Sequence, residues 1–126
     1  DLIPLGCRID VNDLLIELAT GGTAAIDMQK FIEASSGYLC FMLPEGIIRK
    51  VEGLKETNDI EGVHRACFDN IYVGRKISGI KDKTSRLGPI LIANENRTGL
   101  QETINKIKNT LNIEVETENG IKTIIW

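Results

Sequence analysis

The chain has 126 residues, of which 42% are hydrophobic and 26% charged, and its formal net charge is -3 at pH 7. This length and mixture are typical of one soluble globular domain with a modest core. The net acidity argues against a nucleic-acid partner, which would require a basic face, and no apolar run approaches the roughly 20 residues of a membrane-spanning helix.

The cysteines predict a cellular compartment, and the first residues predict a longer parent protein. Cys7, Cys40 and Cys67 are an odd number at wide spacing, with no C-x-x-C pair. We expect free, buried thiols in a reducing cytosol, which is favoured over disulfide or metal roles. The chain begins Asp1-Leu2-Ile3-Pro4, without Met, which predicts a piece of a longer protein.

Hydrophobic spacing and turn residues predict alternating short elements along the chain. In chain order they are a helix over residues 11–19, a short helical turn over 27–34, strands over 38–43 and 47–52, a short helix over 54–58, a strand over 63–68, an irregular exposed segment over 71–81, a strand over 87–94, a long helix over 98–111, and two strands around Glu118-Asn119-Gly120. The strands over 38–43 and 47–52 flank Pro44-Glu45-Gly46, so we expect them to pair as a hairpin.

Local signals define the ends of the helices and the last turn. Asp10 is the predicted N-cap of the first helix, and Gly21-Gly22 ends it. Thr98, with Gln101 three residues later, forms a predicted capping box for the long helix, and Asn112 is a reasonable stop after it. Asn119-Gly120 between apolar runs predicts a hairpin.

The long helix carries one apolar face, formed by Leu100, Ile104, Ile107 and Leu111 at helical spacing. We expect this face to be buried on a sheet. Strands joined by tight turns favour antiparallel pairing. The predicted fold is therefore α+β, with a mostly antiparallel sheet covered by one long and one or two short helices.

The residues alone show no catalytic constellation. His64 is the only histidine and has no partner at ligand spacing, so we interpret it as structural. Glu114, Glu116 and Glu118 share one strand face, and a solvated face is favoured over a metal site. Five cations between residues 75 and 86 favour a solvated loop over a phosphate or acidic-partner site. The glycines match neither the P-loop nor the dinucleotide fingerprint.

Three segments occur in a characteristic order: PLGCRID with VNDLLIELATG, then FMLPEGIIRKVEGLKETNDIEGV, then SRLGPILIANENRTGLQETINKIKNTLNI. The first resembles the end of the catalytic domain of ATP-grasp carboxylate-amine ligases. The second is similar to the next segment of L-amino-acid ligases. The third looks like their closing strand and helix, which biotin carboxylase and carbamoyl-phosphate synthetase relatives share. The resemblance covers nearly the whole chain.

The resemblance implies that residues 1–22 end the ATP-grasp catalytic domain and that residues 23–126 form a C-terminal α+β subdomain. The parent would use ATP and Mg²⁺ to turn a carboxylate into an acyl phosphate, which an amine then attacks. The family's ATP-binding lysines and magnesium carboxylates would lie upstream of Asp1. We therefore expect no catalytic residue, no metal ligand and no bound ATP or Mg²⁺ in this chain.

The resemblance also implies the partners: the upstream part of the same chain, a small-molecule carboxylate and amine, and a second copy in a homodimer, all in the cytoplasm. Where the family usually has Ser-Thr-Gly before Ile/Val-Asp, this chain has Gly6-Cys7-Arg8 before Ile9-Asp10. Arg8 is the candidate substrate-binding residue, since an arginine there would pair with a carboxylate or phosphate. The plainer alternative is an exposed arginine. The alternative function is a self-standing, non-catalytic binding or regulatory module.

Overall fold

The computed structural model describes residues 2–7, 9–23 and 34–126. Its elements in chain order are α1 (Leu2–Cys7), α2 (Val11–Ala19), β1 (Ser35–Phe41), β2 (Gly46–Glu52), α3 (Leu54–Asn58), β3 (Val63–Ala66), β4 (Lys76–Ile77), a 3-10 turn (Lys83–Ser85), β5 (Leu87–Asn94), α4 (Arg97–Thr110), β6 (Asn112–Thr117) and β7 (Gly120–Lys122). Arg8 and all of the predicted helical turn over residues 27–34 except Ala34 lie outside the described residues.

The strands form two antiparallel sheets, with orders β1–β5–β3 and β4–β2–β6–β7. The predicted α+β class with antiparallel pairing is confirmed. The predicted hairpin of residues 38–43 with 47–52 is wrong, because β1 pairs with β5 while β2 pairs with β4 and β6. The long partners of both strands come from the second half of the chain, so the short turn between the two strands carries no information about their pairing.

Buried and exposed residues do not alternate strictly along β2. Ile48 is fully buried, whereas Arg49 and Lys50 are both exposed. The pairing of β2 with β6 shifts between Ile48 and Lys50, so one extra residue bulges from β2. A bulge changes the face that the following side chains occupy. Apolar and polar residues therefore do not alternate strictly along β2.

Helix α4 lies close to its predicted position, but its caps differ. Its N-cap is Asn96, whose side chain accepts a hydrogen bond of 2.9 Å from the backbone N–H of Gly99. Thr98 is therefore inside the first turn, and the predicted capping box does not form, since Gln101 donates to Asn105 instead. Asparagine at an N-cap accepts a hydrogen bond from a free backbone N–H as well as threonine does. The sequence alone therefore does not distinguish Asn96 from Thr98 as the N-cap.

The core has two clusters of buried side chains. One lies against the β4–β2–β6–β7 sheet and contains Phe41, Leu43, Ile48, Ile71, Ile77, Leu111, Ile113 and Val115. The other joins β5 to α4 through Ile90, Ile92 and Ile107, with Leu100 and Ile104 packed against it. The predicted apolar face of the long helix therefore packs on a sheet, and Ile107 is fully buried. Phe68 packs against both clusters and links them.

Helix α2 forms where predicted, with Asp10 accepting hydrogen bonds from the backbone N–H groups of Asn12 and Asp13. Among its leucines, Leu15 is 58% and Leu18 is 56% accessible, whereas Leu14 is half-buried. No helix among residues 2–7, 9–23 and 34–126 is long and apolar enough to cross a bilayer.

The three cysteines are free, as expected. Cys7, Cys40 and Cys67 are each half-buried, so the expected full burial is wrong.

Candidate functional site

A cleft of about 320 Å³ opens between α1 and the ends of β3 and β5. Two of its walls come from parts of the chain that are distant in sequence, which the fold brings together. The lining residues are Pro4, Leu5, Ala34, Glu61, Gly62, His64, Ala93, Asn94 and Glu95. This cleft is the candidate site because it adjoins the N-terminal segment that contains Arg8, for which the sequence predicts a substrate contact.

Helix α1 is held on the start of β1 by polar contacts. The hydroxyl of Ser36 donates to the carbonyl of Leu2 at 3.2 Å, and the backbone N–H of Ala34 donates to the carbonyl of Gly6 at 3.1 Å. A β-carbon at Gly6 would lie 2.8 Å from the Ser36 hydroxyl oxygen. A side chain at Gly6 would therefore displace the Ser36 hydroxyl that holds α1 on β1. Helix α1 in turn positions Pro4 and Leu5, which form this wall of the cleft.

The opposite wall is fixed by a small hydrogen-bond network. The amide nitrogen of Asn94 donates to the hydroxyl oxygen of Thr103 at 3.0 Å, and that hydroxyl donates to the carbonyl of Glu61 at 3.2 Å. Thr103 is only 3% exposed, so its hydroxyl requires these partners. Gly62 has a φ of 90°, and its carbonyl accepts from the N–H of Ala93 at 2.9 Å.

The polar side chains that line the cleft include two carboxylates. Glu61 and Glu95 supply carboxylates, Asn94 supplies an amide, and His64 is an exposed residue of β3. No lysine or arginine of the described residues lines the cleft. Carboxylate oxygens accept hydrogen bonds from ammonium groups, so this set of side chains suits a protonated amine better than an anion.

The cleft does not fit the ATP and Mg²⁺ that the resemblance implies for the parent. Two carboxylates, with no lysine or arginine beside them among the described lining residues, would repel a triphosphate. In the described part of the chain, no three His, Cys, Asp or Glu side chains are grouped so that they would hold a metal ion. No chemical step through either group is therefore assigned to the residues of this cleft.

The structure separates the residues that the sequence singled out. His64 lines the cleft, whereas Arg8 is outside the described residues. Glu116 pairs with Arg49, and Glu114 lies 3.7 Å from the amine of Lys50, so both sit on the charged outer face of the second sheet.

Lys50 and Glu52 form another ion pair of that face, with 2.8 Å between Nζ and Oε2. Their hydrogen bond and charge raise the pKa of Lys50, and the same hydrogen bond, with one from Asn112, lowers the pKa of Glu52. Both groups are exposed, so these shifts describe a solvated surface and not a reactive site.

Sequence reasoning missed Glu61, Asn94 and Glu95. The run Asn94-Glu95-Asn96 directly after an apolar strand was the available signal, since polar residues at a strand end often face a site. Glu61 gave no such signal, because it reaches the cleft only through the pairing of β3 with β5.

No family model and no curated protein matches the sequence. The fold is similar to that of phosphoribosylglycinamide synthetase from Anaerococcus prevotii, with a TM-score of 0.61 and 13% sequence identity. The similarity covers 89% of this chain and 29% of that chain, so this chain spans less than a third of the length of that protein. At this identity the likeness concerns the fold alone: the chain has an α+β arrangement like that of part of that protein.

Proposed function

We propose that this chain is the C-terminal part of an ATP-dependent ligase that joins a carboxylate to an amine through an acyl phosphate. The observation that carries the proposal is the fold likeness, which takes in most of this chain but only 29% of phosphoribosylglycinamide synthetase, an ATP-grasp ligase. A match of that proportion fits one subdomain of a larger ligase. The order of the three sequence segments supports the same conclusion independently.

In this proposal residues 1–22 end the catalytic domain and residues 23–126 form the C-terminal subdomain. The cleft lies where these two parts meet, because Pro4 and Leu5 form one wall and residues 61–64 and 93–95 form the other. The chain then serves as scaffold and as one wall of the substrate site. ATP and Mg²⁺ would bind to the upstream part of the same chain.

The charges of the cleft favour one of the two substrates. Glu61 and Glu95 would accept hydrogen bonds from the ammonium form of the amine. Arg8 follows directly after α1, which lines the cleft, and its guanidinium would pair with the carboxylate or with its phosphorylated form.

The test uses the full-length protein that the gene encodes. Incubated with Mg-ATP and a panel of carboxylates and amines, it should form ADP and phosphate only when both substrates are present. With hydroxylamine in place of the amine, a hydroxamate should form, since hydroxylamine intercepts an acyl phosphate. A gene that encodes no ATP-grasp body upstream of this segment would refute the proposal and leave the self-standing binding module.

Arg8 is tested in the same assay, because it is the proposed substrate-binding residue. Arg8→Ala should raise the substrate KM or lower kcat at least tenfold, which is about 1.4 kcal/mol of transition-state binding. Asp10→Ala is the matched control two residues away. It removes the cap of α2 and should lower stability by about 1 kcal/mol while leaving KM nearly unchanged. Unchanged kinetics of Arg8→Ala would leave the segment without a binding role.

A further inference from the structure

The cations that the sequence placed in a solvated loop surround a second cleft on another part of the molecule. Residues 75–86 carry five lysines and arginines and one carboxylate, in a chain whose net charge is -3. The fold bends this stretch, so that β4 and the 3-10 turn Lys83–Ser85 border an opening of about 310 Å³. This volume matches the lower end of small-molecule sites.

Hydrogen-bond donors dominate the lining of this second cleft. Arg75, Lys76 and Lys81 contribute the charged groups. Ser78 and Ser85 contribute hydroxyls, whereas the hydroxyl of Thr84 donates to Asp82. Arginine, lysine and hydroxyl groups are the side chains that bind phosphate oxygens, through charge-assisted hydrogen bonds.

The three cations are not neutralised by nearby acids. No ion pair joins Arg75, Lys76 or Lys81 to any carboxylate within residues 2–7, 9–23 and 34–126. The guanidinium of Arg75 donates one hydrogen bond to the carbonyl of Asn70, which fixes its position and leaves other N–H groups available. Elsewhere on the surface the cations Arg49 and Lys50 do have carboxylate partners.

Two carboxylates border the cleft. One accepts hydrogen bonds within the turn, and the other lies at the rim. Asp82 accepts hydrogen bonds from the backbone N–H and the hydroxyl of Thr84, at 2.7 and 2.6 Å from Oδ1. Glu45 lies against Gly79, at the rim. Three cations therefore face two carboxylates, and one of the carboxylates is tied to the turn.

The turn that carries the donors is held by its own hydrogen bonds. The backbone N–H of Lys81 donates to the hydroxyl oxygen of Ser85 at 3.1 Å, and the N–H of Ser85 donates to the carbonyl of Asp82 at 3.1 Å. These contacts leave the hydroxyl proton of Ser85 free to donate. A preformed turn lowers the ordering cost of binding an anion.

We propose that this second cleft binds a phosphate group of a small molecule, through Arg75, Lys76, Lys81 and the hydroxyls of Ser78 and Ser85. The cleft is separate from the one that α1 borders, and the two share no lining residue. The proposal is therefore independent of the ligase assignment, and either can fail without the other.

The experiment titrates the full-length protein with inorganic phosphate, pyrophosphate and glycerol 3-phosphate, followed by isothermal calorimetry and by amide chemical shifts of residues 75–86. Saturable binding of at least one probe with shifts confined to this stretch is expected. Tighter binding of glycerol 3-phosphate than of phosphate would identify an organic ligand, and the reverse would identify the free ion.

Lys81→Glu should weaken the affinity for the tightest-binding probe at least tenfold. Lys106→Glu makes an equal charge change on the exposed face of α4 and should change that affinity less than twofold. Ser78→Ala removes one hydroxyl without changing charge and should weaken binding two- to fivefold. The absence of saturation at millimolar probe would overturn the proposal, and so would equal losses from Lys81→Glu and Lys106→Glu, since these would reflect net charge alone.

Discussion

Gly62 shows how one residue controls the wall of the candidate site. Its φ of 90° lies in the region that favours glycine, and a β-carbon there would lie 2.5 Å from the amide nitrogen of Asn94 and 2.9 Å from the hydroxyl of Thr103. The Asn94–Thr103–Glu61 network thus requires the absence of a side chain at this position. The same glycine sets the direction in which the chain enters β3 and carries His64.

Gly62→Ala should destabilise the protein by about 3 kcal/mol, because positive φ and a steric clash act together. Gly74→Ala is the matched control: Gly74 has a φ of 92°, and a β-carbon there meets nothing within 4 Å. It should cost only about 1 kcal/mol of backbone strain. Urea denaturation of both variants measures the difference, and equal losses would show that the network tolerates a methyl group.

Asp82 gives a prediction that depends on pH. Hydrogen bonds from the hydroxyl and backbone N–H of Thr84 lower the pKa of Asp82 from its ordinary value. A lowered pKa in the folded state means that this interaction stabilises the fold above the unfolded pKa, about 3.9, and is lost as the pH falls through the folded value.

An NMR titration of the Asp82 carboxyl carbon should therefore give a midpoint below about 3.9. Thr84→Val removes the hydroxyl donor and should raise that midpoint, while Thr98→Val, at an exposed position of α4, should leave it in place. A midpoint in the wild type that is insensitive to Thr84→Val would show that the hydroxyl does not bind the carboxylate in solution.

Helix α4 is the element whose burial the sequence predicted most directly. Ile107 is fully buried against Ile90 and Ile92, whereas Ile104 is half-buried and Asn105 is exposed. The opposite case is α2, whose cap and length were also predicted but whose Leu15 and Leu18 remain accessible. Apolar spacing therefore predicts a helix in both segments, but it does not say what covers the apolar face.

Ile107→Asp should unfold the protein or make it insoluble, because an unpaired buried charge costs several kcal/mol against a total stability of about 5–15 kcal/mol. Ile104→Asp should act in the same direction with a smaller effect, since Ile104 is half-buried. Asn105→Asp, on the exposed face, is the control and should melt within a few degrees of wild type. A normal cooperative melt of Ile107→Asp would show that this face is not core.

At the scale of the whole molecule, two sheets with separate buried clusters form one structure. Phe68, after β3, packs against both clusters, and the bridge of Met42 to Ile125 ties the end of β1 to the C-terminal segment. Trp126 closes this edge against Phe41, with ring centroids 5.6 Å apart. The connection between the sheets thus depends on residues far apart in sequence.

The 126-residue chain by itself should not bind Mg-ATP with micromolar affinity. The cleft beside α1 carries two carboxylates and no cation of the described residues, which opposes a triphosphate. Isothermal titration with Mg-ATP should give no heat of tight binding. A micromolar dissociation constant would show that the nucleotide site of the proposed ligase lies within this chain.

The sequence by itself determined most elements of this protein, although not α1 or β4. Apolar periodicity, Asp10 as a cap, the strand over residues 87–94 and the C-terminal hairpin each depend on residues within about ten positions, so local spacing contains the information. Only the tertiary structure decided the division into two sheets, the exposure of α2, and the two clefts. These depend on the pairing of β1 with β5 and of β2 with β6, and contacts between strands so far apart in sequence are chosen by packing of the whole core and not by local pattern.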